Sequence, residues 1–460
     1  MRSSSYLVVP RRRAALTLAI AALVAPRAAR PGGPDSVPLS PESALTAGAV
    51  LASDDVGGGG WYNPAALGGV KRSSVQVGAS AYSETYSFVT DAAKATLPWG
   101  TVSGDIRSLN YTSVPAVLSY TYRIREGLGM SIGVWTPYHA YEGGTTTITS
   151  GGPYPPNLNA TFAETYSFSD RRDDTWAGLA VGWQATPRLR LGAMLQGAYA
   201  TDVRTVDVNT SLQTSSSNPL ETGGHVVYSE RRDQGLLGLR TLLGMQWDAS
   251  REVRVAAAVR GPTFRLFAWG PHNTFFTTAA LLPGIPPTQS QTTTQETAAR
   301  GQSIVEPVKL YGGMRFAGER WTLAVEVDWH PALDGQFGNF KEGWSARLGG
   351  TWRANADLLI GTGFFQDSAS TEASDGKTAM NYAGFAGGVT YRPSAVVKAL
   401  GGMKSWDLLT CVAVRGAYGW GKYQGLSLDP GVGEPVSVTF PESAVKLLEG
   451  SISFFTAIIF

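Results

Sequence analysis

The sequence is poor in cysteine, in charge and in long hydrophobic runs. Its one cysteine, Cys411, excludes an internal disulfide and lies in a strand-like run, where we expect it to be a small residue of a wall. Charged residues make up 16% of the chain and the net charge is +2, which gives no footprint of a nucleic-acid-binding protein and no preference for acidic partners. No metal-ligand spacing, phosphate-binding loop or dinucleotide fingerprint occurs, so we expect no metal and no cofactor.

No apolar run reaches the roughly 18 residues that a transmembrane helix requires, which excludes a helical membrane protein. Glycine is abundant at 55 residues, and the chain has 13 Trp and 18 Tyr among its 460 residues. The mean hydropathy of −0.06 is what results when half of each strand faces lipid and half faces a lumen. The composition therefore favours one large β-barrel.

The N-terminal residues have the pattern of an export signal. Arg11 to Arg13 form a basic region, and Ala14 to Ala25 form an apolar stretch too short for a membrane anchor. Cleavage after Ala25 or after Ala29 fits the small residues there, and we take residues 1–29 as the signal peptide. The mature chain is expected to leave the cytoplasm.

Alternation of apolar and polar residues recurs along the chain and predicts strands. In residues 321–329 the apolar face begins at Trp321 and ends at Trp329, roughly 26 Å apart at the rise of a strand, which is the height of a lipid band with an aromatic girdle on each side. Residues 344–352 repeat the pattern, and residues 452–460 end on Phe460. We predict an all-β transmembrane antiparallel barrel over residues 73–460, in preference to a soluble all-β protein.

The segments between the predicted strands differ in length. Residues 125–127 and 317–319 predict tight turns on the periplasmic side, and Glu142–Ala163, Thr214–Gly224 and His272–Gln302 predict long extracellular loops. The last of these contains an apolar cluster formed by Ala279, Ala280, Leu281, Leu282 and Ile285. The cluster is either packed within its own loop or a landing site for an apolar ligand.

Residues 30–72 do not alternate, and a folded stretch before the first strand has the lumen as its obvious location. It contains four successive glycines, 57–60, and the turn-forming pair Asn63-Pro64. The run from Leu51 to Gly57, followed by residues 63–67, resembles the hatch motif of the FadL/TodX family of outer-membrane transporters. Residues 135–138, Trp-Thr-Pro-Tyr, resemble a strand ending of the same family.

The resemblance implies a barrel of about 14 strands, plugged by a small N-terminal hatch over residues 30–72. It implies facilitated diffusion of hydrophobic molecules, such as long-chain fatty acids or hydrocarbons, across the outer membrane of a Gram-negative bacterium. The residues that it assigns to the hatch are Asp54, Asp55, Asn63, Pro64 and Ala65. The candidate ligand contacts are Trp135, Pro137 and Tyr138 from this motif, with Leu281, Leu282 and Ile285 from the apolar cluster.

The expected partners are a hydrophobic small molecule, outer-membrane lipids with lipopolysaccharide, and the barrel-assembly machinery. The aromatic Phe460 at the end of the last predicted strand resembles the signal that this machinery recognises. Nucleic acid is not among the expected partners. A general porin and a structural or adhesive barrel remain alternatives; an enzyme is not expected, because no histidine is convincingly placed beside a nucleophile. Five charged residues on the lumen side of their strands are expected to pair across the lumen, or to meet a ligand carboxylate: Arg254, Arg260, Glu326, Asp328 and Arg347.

Overall fold

The computed structural model describes residues 38–54, 58–112, 116–154, 158–215, 223–281, 289–296, 299–300, 304–333, 340–369, 377–393, 406–424 and 437–460. The predicted signal peptide, Asp55, Leu282 and Ile285 lie outside these residues. In the described part of the chain no helix is long and apolar enough to cross a bilayer.

The described residues form one antiparallel sheet that closes on itself as a 14-stranded barrel. Its segments in chain order are β1 (Ser74–Leu97), β2 (Gly100–Thr112), β3 (Ala116–Arg125), β4 (Leu128–Tyr154), β5 (Leu158–Thr186), β6 (Leu189–Thr214), β7 (Gly223–Asp248), β8 (Val253–Arg260), β9 (Thr263–Trp269), β10 (Pro271–Leu281), β11 (Gln289–Glu296), β12 (Ala299–Arg300), β13 (Ile304–Glu306), β14 (Lys309–Ala317), β15 (Trp321–His330), β16 (Gly343–Arg353), β17 (Leu358–Asp367), β18 (Lys377–Tyr391), β19 (Asp407–Gln424), β20 (Ser437–Thr439) and β21 (Glu442–Ile459).

Several of these segments share one strand position in the wall. β2 and β3 follow one another along β1, β8 to β10 follow one another along β7, and β20 and β21 both pair with β1. The pairing of β1 with β21, which places Ser74 opposite Ile459, closes the barrel. The predicted all-β antiparallel barrel of about 14 strands is therefore confirmed.

The outer surface carries the apolar belt that the alternation predicted. Trp321 and Trp329 are exposed on β15 and stand directly opposite Trp352 and Trp344 on β16, so aromatic pairs mark both edges of the belt. Glu326, between them in sequence, has the other parity and is buried inside. An exposed apolar belt with aromatic edges is the surface that a barrel presents to a bilayer.

Five connections at one end of the barrel are short. Residues 126–127, 187–188, 249–252, 318–320 and 354–357 join consecutive strands there. Gly127 has φ +73°, a left-handed conformation that a tight turn requires and that glycine adopts without strain. The tight turns predicted at residues 125–127 and 317–319 are confirmed.

Two of the three predicted long loops were wrong. Most of Glu142–Ala163 belongs to the hairpin of β4 and β5, and most of His272–Gln302 belongs to β10 and β11; Thr214–Gly224 agrees with a break between β6 and β7. The physical reason is that these strands continue beyond the bilayer. On β5 the outward face is polar at Thr161 and Thr165 but apolar at Leu179 and Val181, so one strand passes from water into lipid and loses its apolar alternation outside the belt.

The space inside the barrel is filled at two levels. Near the short turns lies the N-terminal stretch, residues 38–54 and 58–72, which we call the inner segment. It includes α1 (Pro41–Leu45), α2 (Gly59–Tyr62) and a 3-10 helix (Pro64–Gly69). Within the extended strands on the other side of the belt lies a second apolar cluster, which we call the upper core; it includes Phe162, Tyr166, Val208, Leu212, Val226, Tyr423 and Phe440.

Candidate functional site

Local sequence signals begin the two best-defined helices of the inner segment. Ser40 caps α1 by accepting the Ser43 N–H, and Ser43 returns a side-chain bond to the Ser40 backbone, which makes a capping box with Pro41 in the first turn. Asn63 caps the 3-10 helix in the same way, because its Oδ1 accepts the Ala65 N–H at 3.0 Å.

Asn63 also connects the inner segment to itself and to the wall. Its Nδ2 donates to the Leu51 carbonyl at 2.9 Å and to the Met245 carbonyl of β7 at 3.2 Å. Gln246, the next residue of β7, donates to the carbonyls of Leu51 and Ser53. Every polar group of the buried Asn63 side chain therefore has a partner, as burial requires.

Glycines on the inner face of the wall make room for the inner segment. A Cβ on Gly182 would lie 2.4 Å from the Pro64 oxygen, and one on Gly192 would lie 2.3 Å from the Pro64 carbonyl carbon, closer than real Cβ atoms come to other atoms. The same holds at other strands for Gly129, Gly244, Gly349, Gly361 and Gly363. These glycines stand at inward parity in the sequence, which is the signal that sequence reasoning could have used.

A buried charge cluster on β15 to β17 holds the middle of the inner segment. Arg347 is 2% exposed, and its guanidinium lies 2.8 Å from Asp328, 2.9 Å from Asp367 and 3.3 Å from Glu326. The other oxygen of Glu326 accepts the N–H groups of Val50 and Leu51. Arg347, Glu326 and Asp328 therefore form ion pairs, but between the neighbouring strands β15 and β16 and not across the lumen as predicted.

Asp54 is bound by three arginines of the wall at the turn end. Its carboxylate lies 2.6 Å from Arg190, 2.6 Å from Arg254 and 3.5 Å from Arg315, which come from three separate hairpins. Burial raises the pKa of the Asp54 carboxyl, but attraction to Arg254 and Arg190 outweighs it and holds that pKa below its usual value. The carboxyl is therefore charged at neutral pH.

An aromatic layer with two arginines separates the inner segment from the upper core. Trp61 of α2 packs against Trp135 and Trp176 at ring distances of 5.6 and 6.2 Å. The Arg240 guanidinium lies 3.6 Å from the centroid of the Trp176 ring. The Arg260 guanidinium lies over the Trp61 ring. Such cation–π contacts are stronger where water is absent.

The structure describes four of the six sequence-predicted ligand contacts, three of them on β4 and one on β10. Trp135 is fully buried and contacts Trp61 of the inner segment, and Pro137 is buried two residues farther along β4. Tyr138 stands opposite Asp174 in the ladder of β4 and β5, and Leu281 stands opposite Gly223 at the end of β10. Leu282 and Ile285 fall outside the described residues. Within the described residues no group of histidine, cysteine and carboxylate side chains has the arrangement of a metal site.

Comparison with known proteins gives the fold. No protein-family model matches the chain, and no curated protein matches it in sequence. Among solved structures, a FadL homologue of Pseudomonas aeruginosa superposes with a TM-score of 0.55 at 11% identity, over 94% of this chain and 99% of the other. The toluene transporter TodX of P. putida gives 0.54 at 13% identity, over 92% and 98%. The monoaromatic hydrocarbon channel CymD gives 0.50 at 14% identity, over 92% and 98%.

Proposed function

We propose that this barrel, which has the fold of the FadL-type and TodX channels, is an outer-membrane channel for hydrophobic molecules such as long-chain fatty acids or hydrocarbons. What supports the proposal is that, among the described residues, the inner segment and the apolar upper core both lie inside the wall. A general porin works through an open, polar, water-filled lumen. Apolar side chains packed inside the wall instead suit solutes that water does not carry.

The physical advantage for an apolar solute comes from burial. Transfer of a methylene group from water to an apolar site contributes about 0.8 kcal/mol, so a long alkyl chain gains several kcal/mol on entering the barrel. The same gain slows release. Movement of the inner segment would provide the exit, with the solute gradient as the driving force and no catalytic step.

We assign residues 30–72 to the hatch and residues 73–460 to the barrel. Asp54, Asn63, Pro64 and Ala65 support this assignment by their contacts with the wall, since Asp54 meets three arginines and Asn63 joins Leu51 to β7. With the export signal at residues 1–29, this proposal puts the protein in the outer membrane of a Gram-negative cell. Its partners there would be the hydrophobic solute, lipids with lipopolysaccharide, and the assembly machinery.

Uptake by whole cells tests the proposal, because phospholipid vesicles alone are already permeable to apolar solutes. A Gram-negative strain without its own apolar channels is given the gene, and entry of radiolabelled oleate and toluene is measured. We expect faster entry of at least one of them with no change for a hydrophilic sugar. Faster sugar entry, with unchanged oleate and toluene, would establish a porin instead.

A deletion separates the hatch from the barrel. Removing residues 45–66 is expected to leave a folded barrel that leaks small polar solutes and conducts ions in a planar bilayer. The intact protein, assayed alongside, should conduct little. Equal conductance of the two forms would show that the inner segment does not close the lumen. Mass spectrometry of lipophilic molecules extracted with the purified protein then identifies the solute class.

A further inference from the structure

Glu164 of β5 is a buried carboxyl group in the upper core, without a hydrogen bond to any residue that the structure describes. The residue is 1% exposed, and neither side-chain oxygen has a partner among the described residues. Thr210 stands directly opposite on β6, is also fully buried, and its hydroxyl likewise has no partner there. Two adjacent inward polar side chains are therefore both unsatisfied.

The side chains around this pair are apolar. Ile148 of β4 is paired with Glu164, and Val226 of β7 is paired with Thr210, so the four residues form one row across four strands. Phe162 and Tyr166 precede and follow Glu164 on the same face of β5. On β6 the nearest inward arginine is Arg204, six residues or roughly 20 Å along the strand, which is too far for an ion pair.

A buried acceptor without a partner is costly to the fold, because it has lost its hydrogen bonds to water and gained none in exchange. Structural carboxylates in this barrel avoid that cost: Glu326 and Asp54 each bind donors at the inner segment. Among the described residues Glu164 makes no contact of this kind with the wall. Within that part of the structure its two oxygens and the Thr210 hydroxyl can accept a donor that arrives from outside.

The pair lies on the solvent side of the lipid belt, at the level of the upper core. The outward face of β5 beside it is polar, at Thr161 and Thr165, and becomes apolar only beyond residue 176. A solute that passes through the upper core would meet this pair before it reaches Trp135 and Trp61.

We propose that Glu164 and Thr210 bind the hydrogen-bond-donating head group of an apolar solute, a hydroxyl or an ammonium group, and so select such solutes over carboxylates of equal chain length. The inference rests on the proposed passage of hydrophobic molecules and names the class that is favoured. The Glu164 oxygens accept the donor, and the Thr210 hydroxyl completes the site as donor or acceptor. A carboxylate head would bring a second acidic group beside Glu164, and the nearest inward arginine of β6, Arg204, is too far along that strand to compensate.

Binding of four ten-carbon probes to the detergent-purified full chain tests the inference: decane, 1-decanol, decylamine and decanoate. Affinity is measured by fluorescence titration, for which Trp99, packed against the upper core, is a reporter. We expect 1-decanol and decylamine to bind about tenfold more tightly than decanoate, because a hydrogen bond to a charged group is worth that much or more. Comparison of 1-decanol with decylamine distinguishes a hydroxyl preference from an ammonium preference.

Three variants distinguish a binding role from a structural one. Glu164→Leu should remove the preference for 1-decanol and decylamine over decanoate and leave the affinity for decane unchanged. Thr210→Val should reduce the same preference. Glu164→Gln, which keeps an acceptor without the charge, should retain 1-decanol and lose the advantage of decylamine. Glu84→Gln, an exposed glutamate on β1, is the matched control and should change nothing. Folding of each variant is checked by its heat-modifiable mobility.

An unchanged order of affinities in Glu164→Leu, with decane still bound, would overturn this inference and leave the proposed function standing. Tighter binding of decanoate than of 1-decanol by the unaltered protein would also overturn it. Failure of all four probes to bind would contradict the proposed function itself, and the inference would fall with it.

Discussion

Glu326 Oε2 lies 2.9 Å from the backbone nitrogen of Leu51, and these two residues are 275 positions apart in the chain. The same oxygen accepts the Val50 N–H at 3.1 Å, while Oε1 faces Arg347 at 3.3 Å. One carboxylate thus joins the buried charge cluster of the wall to the backbone of the inner segment. Variants of this contact can therefore show whether the inner segment stays bound to the wall.

The single cysteine supplies the readout. Cys411 on β19 is fully buried, and its Sγ lies 3.8 Å from the carbonyl oxygen of Pro41 in α1. A thiol in this place is shielded from a maleimide while α1 is seated and becomes reactive when α1 leaves. Labelling of Cys411 in the folded barrel therefore reports release of the inner segment without an added probe.

Removing the Glu326 acceptor should release the inner segment. Glu326→Leu takes away both bonds to Val50 and Leu51, each worth about 1.5–3 kcal/mol as a bond to a charged group. We expect Cys411 labelling at least tenfold faster and a higher single-channel conductance. The exposed Glu319, changed to Gln, serves as control. Labelling as slow as in the unaltered protein would show that Glu326 does not hold the segment.

The glycine face of the wall gives a second test with a control on the same strand. Gly192→Val introduces a side chain where Pro64 lies, whereas Gly197→Val adds one where nothing lies within 4 Å of the new Cβ. Both changes raise β propensity, so the wall should form in each. We expect fast Cys411 labelling and ion leakage in the first variant alone. Equal behaviour of the two would mean that the close approach at Gly192 is not needed for seating.

Asp54 should hold the inner segment at neutral pH and release it only in strong acid. Because its folded-state pKa is lowered, the ion pairs contribute fully above the ordinary value of 3.8 and are lost as pH falls through the lower, folded-state value. Cys411 is itself best probed near neutrality, so ion conductance is the measurement from pH 8 to pH 3. We expect a flat profile down to about pH 4 and a rise below it.

Salt should also act on Asp54, since its side chain is 51% exposed and such pairs are screened. Raising the salt from 0.1 M to 1 M is expected to speed Cys411 labelling in the unaltered protein by about twofold to fivefold, as weakening of an exposed pair allows. Asp54→Asn should label quickly at both salt concentrations. If labelling of Cys411 in Asp54→Asn depended on salt as strongly as in the unaltered protein, the salt effect would come from other charges.

Arg347 should matter more for the wall than for the inner segment. Arg347→Leu leaves Glu326, Asp328 and Asp367 buried together without a cation, and breaking a buried cluster in this way costs about 3–5 kcal/mol. We expect a lower midpoint in urea unfolding, followed by heat-modifiable mobility. Arg353→Leu, an exposed arginine at the end of the same strand, is the control. Equal midpoints would contradict a stabilising role.

The sequence alone predicts the features of the fold that depend on only one face of one strand. Residues of the belt such as Trp321 and Trp329 meet lipid whatever their neighbours are, so their alternation was sufficient to give strands, belt and barrel. The hairpin of β4 and β5 was missed beyond the belt, because its outer face meets water there and its inner face includes small and polar residues such as Thr146. Alternation of apolar residues therefore indicates the part of a strand that lies in the bilayer, and not the full length of the strand.

The inner contacts needed the tertiary structure. Gly182 and Gly192 have inward parity in the sequence, but nothing local says that Pro64 lies over them. The sequence predicts Trp135 as a ligand contact, and its packing against Trp61 depends on the path of the inner segment, which no local pattern gives. Asn63-Pro64 was recognised from its motif, and its bonds to Leu51 and Met245 were not.

The seam between β1 and β21 has a kinetic consequence. Most other wall pairs join strands that are neighbours in sequence, whereas the seam brings Ser74 to Ile459 and the Phe460 N–H to the Ser73 carbonyl. Closing so long a loop has the highest entropic cost of any pairing in the wall, so it forms late. The inner segment directly precedes β1. Closure of the wall and filling of its lumen are therefore coupled in time, and a barrel delayed at the seam is also one whose lumen is still open.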